Sequence, residues 1–198
     1  VYKIVTIGNQ LWMAENLKYL PRVIGSTIIS TTYPYYYVYG FTGTSIISAK
    51  ANTNYNTYGV LYNWAAAMNG ATSSISNPSG VQGVCPTGWH LPSDAEWTQL
   101  IDYLGGVSVA GGKLKETGTT HWLSPNTGAT NETGFTALPG GFLYEGTLYA
   151  IGGNGGWWSA TEHDATKAWN QYSYYNGTQV VSYSDNKNSG FSIRCVKD

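Results

Sequence analysis

The sequence predicts an α+β fold assembled from short elements, and three observations carry that expectation. Ser93 and Glu96 form a capping box ahead of an amphipathic run, which marks a helix. Asn176-Gly177 stands between two alternating segments, which marks a β-hairpin with a type I′ turn. The chain also carries 25 glycines, and those at 105, 111, 118, 128, 140 and 152 cut its middle into pieces with no room for a long helix.

Taken in order, Val1 to Ile7 alternates apolar and polar residues, turns at Gly8-Asn9 and resumes with Gln10-Leu11-Trp12-Met13. That pattern reads as a hairpin. From Lys18 to Tyr58 the chain is rich in Tyr, Thr, Ser, Ile and Asn with weak periodicity, so irregular strands and a long loop are expected. The run Tyr35-Tyr36-Tyr37 within it fits a core strand and an exposed edge equally. Val60 to Asn69 combines helix formers with apolar spacing near 3.6 and stops at Gly70, which predicts a first short helix. A second helix is expected from Asp94 to about Leu104, ending at Gly105, with Asp94 adding charge to its first turn. Trp97, Leu100, Ile101 and Leu104 share its inner face, and Trp89 and Trp122 join them as expected core residues.

The C-terminal third holds the clearest hairpin. A two-residue turn pairs Tyr175 with Thr178, Tyr174 with Gln179 and Ser173 with Val180. One face then carries Trp169, Gln171, Ser173, Tyr175, Val180 and Ser182, and the other carries Asn170, Tyr172, Tyr174, Gln179, Val181 and Tyr183. The second is expected to be an outer polar-aromatic surface. Phe191 to Val196 alternates and is expected to be the last strand.

At 198 residues and 42% hydrophobic content, residues 1–198 are expected to form one domain with a real core. Ten basic residues nearly cancel eleven acidic ones, so the counterion release that drives nucleic-acid binding has little to act on. Nucleic acid and anionic membranes are not expected partners. No apolar run approaches the roughly 20 residues that cross a bilayer, so direct membrane insertion is not expected. The strand-like start at Val1 fits a trimmed domain whose targeting segment lies outside this sequence. With 17 tyrosines, 8 tryptophans and only 11% charged residues, much of the surface must be Tyr, Asn, Ser, Thr and Gly, the palette of contact surfaces.

The cysteines are Cys85 and Cys195, without CxxC or His-rich context, so a disulfide is expected rather than a zinc site. A disulfide would imply an oxidising compartment. Asp94 and Glu96 could be an acid/base pair, but the capping box accounts for both without chemistry. His90, between Trp89 and Leu91, reads as a hydrogen-bonded core histidine, and His121 and His163 as solvated loop residues. No metal ligand set and no cofactor motif is expected from these spacings.

Several blocks occur in order across nearly the whole chain: Trp12-Met13-Ala14-Glu15-Asn16-Leu17, Leu61-Tyr62-Asn63-Trp64, Cys85-Pro86-Thr87-Gly88-Trp89-His90-Leu91-Pro92, Gly112-Lys113-Leu114-Lys115, Leu138-Pro139-Gly140-Gly141, Trp158-Ser159 and Gly190-Phe191-Ser192-Ile193-Arg194-Cys195-Val196. In this they resemble the Fibrobacter succinogenes major paralogous domain. That resemblance implies a C-type-lectin-like fold of the formylglycine-generating-enzyme type: loop-rich α+β, two main helices and small twisted antiparallel sheets. It also implies display at a bacterial surface, often at the end of longer surface or fimbrial proteins. The segment between Trp158 and Gly190, packed with Asn, Tyr, Ser, Asp and Thr, is similar to the variable region of diversity-generating retroelement target proteins. Ordinary members of the family carry polar residues there too. Trp169-Asn170-Gln171 is similar to the Trp-Asn-Asp calcium motif of sugar-binding lectins, but Gln removes the carboxylate a hard cation prefers, so calcium is not expected.

The function expected is non-catalytic: an extracellular or cell-surface domain that binds a protein or glycan ligand. Expected contact residues are Asn170, Tyr172, Tyr174, Gln179, Tyr183, Asp185 and Asn186, with His163 and Asp164 on the rim. The alternative is an assembly module whose aromatic surface packs on neighbouring domains of a longer surface protein. A divergent oxidase using Cys85 and Cys195 is the third option, and a thiol count separates it from the others.

Overall fold

The computed structural model describes residues 1–198. Its N-terminal hairpin pairs β1 (Ile4–Ile7) with β2 (Gln10–Met13), and Ile7 opposite Gln10 leaves Gly8-Asn9 as the expected two-residue turn. The Tyr-rich stretch is more ordered than its periodicity suggests. It holds β3 (Tyr36–Tyr37) and two short helices, α1 (Ile46–Lys50) and α2 (Thr53–Tyr58), opened by the side chains of Ser45 and Asn52. Tyr36 and Tyr37 are buried, so the tyrosine run is core strand.

The helix expected over Val60 to Asn69 is halved. Leu61–Tyr62 is β4, paired with β3, and α3 spans only Trp64–Met68. Asn63 decides the boundary. Its Oδ1 accepts from Ala66 N and Tyr35 N while its Nδ2 donates to the carbonyls of Ser30 and Tyr33, so it caps the helix and pins the loop beside it. After β5 (Trp89–His90), α4 spans Asp94–Tyr103 with the expected capping box. The glycine-punctuated stretch holds a helix that the sequence did not suggest, α5 (Val107–Leu114). Then come β6 (Phe142–Tyr144), β7 (Thr147–Tyr149), β8 (Asn154–Glu162), β9 (Lys167–Tyr174), β10 (Val180–Asn186) and β11 (Val196–Lys197).

The architecture is therefore α+β with small antiparallel sheets, ordered β1-β2-β11-β5, β10-β9-β8, β3-β4 and β6-β7. The final strand is shorter than expected: Phe191 and Ser192 make single bridges to Tyr62 and Trp157, and only Val196 and Lys197 pair as a ladder.

Adjacent tryptophans on β8 show how the core is organised, because alternation sends them to opposite faces of the sheet. Trp157 enters a cluster with Trp12, Trp97 and Phe135, whose ring centroids lie 4.7 to 6.2 Å apart. Trp158 enters the other cluster, edge-on to Phe191 at 4.7 Å, with Tyr62, Met13 and the Cys85–Cys195 disulfide. Trp97, Leu100, Leu104 and Trp122 are buried as expected. Trp89 is a correction: it is only half-buried, with the Lys197 ammonium 5.6 Å from its ring. His90 is the expected core histidine, bonded to Glu96 at 2.6 Å and Asp198 at 2.8 Å. The same Glu96 carboxylate accepts the Ser93 N–H, so the buried acid serves the cap and the histidine together.

Candidate functional site

The β9–β10 register is the one that Asn176-Gly177 predicts, but the tight turn is a correction: the ladder begins at Ser173 opposite Val180, Tyr175 and Thr178 bond to Gly153, Thr127 and Gly112 instead of each other, and neither Asn176 nor Gly177 takes the left-handed conformation that a type I′ turn requires. Ser173 faces Val180, Tyr172 faces Val181 and Asn170 faces Tyr183. The outward orientation expected for one of the two faces requires correction, because Phe142 and Phe191 pack over it. β9 lies between β10 and β8, and Gly156 sits opposite Tyr172 in the ladder. With no side chain there, Phe191 reaches the sheet, and a Cβ on Gly156 would stand 2.8 Å from that ring. Phe191 in turn covers Tyr172 edge-on at 5.3 Å. Tyr172 is therefore buried at 6% exposure and Asn170 completely, so neither is the outer-surface residue expected.

What remains open is a cleft of about 270 Å³ at the outer end of this face, lined by Phe142, Asn154, Tyr172, Tyr174, Tyr183, Ser184 and Asp185. Tyr172 forms its base. Tyr174 stacks on Tyr172 at 6.0 Å, while Tyr183 and Phe142 meet Tyr172 edge-on at 5.5 and 5.6 Å. Tyr183, on the edge strand, is 46% exposed. Asp185 Oδ2 accepts from Asn170 Nδ2 at 2.9 Å and from the Tyr172 hydroxyl at 3.3 Å. The buried amide and phenol thus aim the carboxylate. Burial and the nearby Asp185 charge raise the Tyr172 phenol far above its ordinary value, so it stays a neutral donor.

Four of the expected contact residues, Tyr172, Tyr174, Tyr183 and Asp185, meet here, and Asn170 supports them from beneath. The others do not. Gln179 precedes β10 at the hairpin turn, where its carbonyl lies against Gly111 of α5. Asn186 pairs with Lys167 at the far end of β10, and alternation turns it from the face that carries Tyr183 and Asp185. His163 and Asp164 belong to the β8–β9 turn, where Asp164 accepts from Thr166 and Lys167 backbone N–H groups and from His163. Those hydrogen bonds hold its carboxyl well below the usual range. This is turn chemistry rather than a rim to the cleft.

Sequence reasoning missed Phe142 and Asn154, and with them the β6–β7 hairpin at the cleft mouth. The signal was present. Phe142-Leu143-Tyr144 and Thr147-Leu148-Tyr149 flank Glu145-Gly146, both in the left-handed region as a type I′ turn requires. Phe142 stacks on Tyr149 at 5.8 Å, which extends the aromatic surface outward to a ring that is 45% exposed.

The opposite face of the sheet carries a separate polar cluster. Gln171 Nε2 donates to Asp94 Oδ1 at 2.9 Å and to the Ser182 hydroxyl at 3.0 Å, and burial raises the Asp94 carboxyl above its ordinary value. This cluster fastens α4 to the sheet. A larger hollow, about 490 Å³ beside the disulfide, is lined partly by Tyr2, Leu17, Tyr19 and Pro86 and gathers none of the expected contact residues.

No curated protein and no solved structure matches the chain. A family model described as the Fibrobacter succinogenes major domain matches residues 5–197. Because that match spans nearly the whole chain, from the first hairpin to the last strand, the protein belongs to the Fibrobacter succinogenes major domain family.

Proposed function

We propose that this chain is a non-catalytic ligand-binding domain displayed outside the bacterial cell, contacting a protein or glycan through the cleft between β10 and the β6–β7 hairpin. The observation that carries the reading is the cleft itself: four aromatic side chains gathered around a carboxylate that Asn170 and Tyr172 hold in place, at an open mouth. The disulfide supports an oxidising compartment and occupies both thiols that an oxidase would need. The mixed architecture of small antiparallel sheets supports a C-type-lectin-like assignment. Diversification by a retroelement belongs to the same proposal, and sequencing of clonal isolates tests it: substitutions confined to 159–189 support it, and substitutions spread evenly along the chain reject it.

Binding is tested by presenting the chain to immobilised glycan and surface-protein panels alongside Tyr183→Ala. Loss of about 2 kcal/mol, roughly thirtyfold in affinity, is expected at such an anchor. Undiminished binding by the variant would move the site elsewhere. The second reading, an assembly module, rests on the exposed rings of Tyr149 and Tyr183, and protection of both when the chain is joined to a neighbouring domain would favour it.

A further inference from the structure

We infer that the aromatic cleft selects a cationic alkylammonium group, either a free quaternary ammonium compound or a lysine-type side chain of a protein ligand. This rests on the proposal that the cleft is the binding site and goes further by naming the chemistry it takes.

The argument is one of charge and shape. Phe142, Tyr172, Tyr174 and Tyr183 present ring surfaces at both stacked and perpendicular angles, with Asp185 among them. Ring faces carry negative quadrupole potential, so rings in several orientations attract a cation from more than one side. No Lys, Arg or His lines the cleft, and Asp185 has no ion-pair partner. Elsewhere the chain does pair cations with rings: Arg194 stands 4.3 Å from the Phe135 centroid, Lys187 4.7 Å from Trp64 and Lys115 5.3 Å from Trp122. The cleft is the aromatic assembly that has a carboxylate and no internal cation.

Supporting groups point the same way. Asn170 and the Tyr172 hydroxyl both bond Asp185 Oδ2, and no side chain in the structure is hydrogen-bonded to Oδ1. With Asp185 in its lining and no cationic side chain beside it, the cleft carries negative potential. An anionic sugar or phosphate would meet this potential unfavourably. A compact trialkylated cation fits the volume and is weakly hydrated, so it loses little on entry.

The probe is choline, titrated by calorimetry into the 198-residue chain, against 3,3-dimethyl-1-butanol, its neutral isostere. Choline is expected to bind at least about tenfold more tightly than the isostere, and Asp185→Asn and Tyr183→Ala are each expected to weaken it by about tenfold. Equal affinity for the two probes, or no heat from choline, overturns the inference without recourse to any variant. Nα-acetyl-lysine amide and its ε-trimethylated form distinguish the sources: preference for these over choline assigns a protein side chain, and the reverse assigns a small molecule. If Tyr183→Ala abolishes capture on the ligand panels while choline shows no binding, the cleft remains the binding site and only the cationic assignment fails.

Discussion

Asn16 is the residue on which the two halves of the chain depend. Its Oδ1 accepts from Trp157 Nε1 and Arg194 Nε, and its Nδ2 donates to Tyr58 O and Ser192 Oγ. Arg194 is completely buried without a carboxylate partner, and its remaining N–H groups reach the carbonyls of Met13, Phe135 and Thr136. Burial lowers its pKa to about 9, so it is charged at neutral pH and needs every acceptor it has. Asn16→Ala strands a charged and a neutral buried donor together, and chemical denaturation should report a loss of at least about 3 kcal/mol. His90 makes a second prediction at this scale. Burial opposes its charge, but hydrogen bonds to Glu96 and Asp198 outweigh that, so its folded pKa stands above 6.5. The folded state therefore binds the proton more tightly. Its contribution is full below about pH 6.5 and is lost as pH rises through the raised value. The melting temperature of the wild type should fall over that window relative to His90→Gln, and parallel pH profiles would refute the linkage. Glu96's capping role was legible in the sequence, but its bond to His90 was not. Asp198, 108 residues from His90, was not, because no local spacing encodes it.

At the scale of elements, strand register was the most legible layer and the covering of sheet faces the least. Gly8-Asn9 predicts its register because a two-residue turn leaves no freedom in the pairing, whereas Asn176-Gly177 predicts the β9–β10 register without forming the tight turn, since Tyr175 and Thr178 are drawn to Gly153, Thr127 and Gly112. Which face of a strand is covered depends on partners far along the chain, so the sequence could not show that Phe142 and Phe191 pack over Tyr172. Tyr172→Ala is accordingly expected to cost about 3 to 5 kcal/mol of stability, as other large buried rings do, while Tyr183→Ala on the edge strand leaves the transition nearly unchanged. Equal melting temperatures for the two variants would contradict these burials. The missed helix α5 has a comparable cause. Gly111 reads as a breaker, yet it and Gly112 are buried where the helix presses on the hairpin: a Cβ on Gly111 would collide with the Gln179 carbonyl, and Gly112 N donates to Thr178 O at 3.0 Å. Gly111→Ala gains up to about 1 kcal/mol in helix propensity. Backbone cannot yield as a side chain can, so a net loss of about 1 to 3 kcal/mol is expected from overpacking. A stabilised variant in thermal melts would show that the helix and hairpin do not touch.

For the whole molecule, the decisive feature is how little regular structure holds it together. Long connections run between short ladders, and the two aromatic clusters are joined through loops as much as through sheets. Such a chain has a large loop entropy to lose on folding, so a covalent tie across it has a correspondingly large effect. Cys85 and Cys195 lie 110 residues apart with Cα atoms 6.0 Å from each other. Cys195 sits between Arg194 and the last strand, with its carbonyl accepting from Met13 N. The bond therefore anchors the loop before β5 to the segment that already bridges the first hairpin and the Asn16 network. In the chain-entropy model, closing a loop of about 100 residues restricts the unfolded state by up to about 4.7 kcal/mol. At about 2 to 4 °C per kcal/mol for a chain of this size, reduction should lower the melting temperature by up to roughly 10 to 20 °C. Both sulfurs are buried, so alkylation of the unreduced native protein followed by mass spectrometry should add no label, and labelling should appear only after unfolding with reductant. Two labelled thiols in the native protein would remove the tie, and with it the strongest physical support for an extracellular domain.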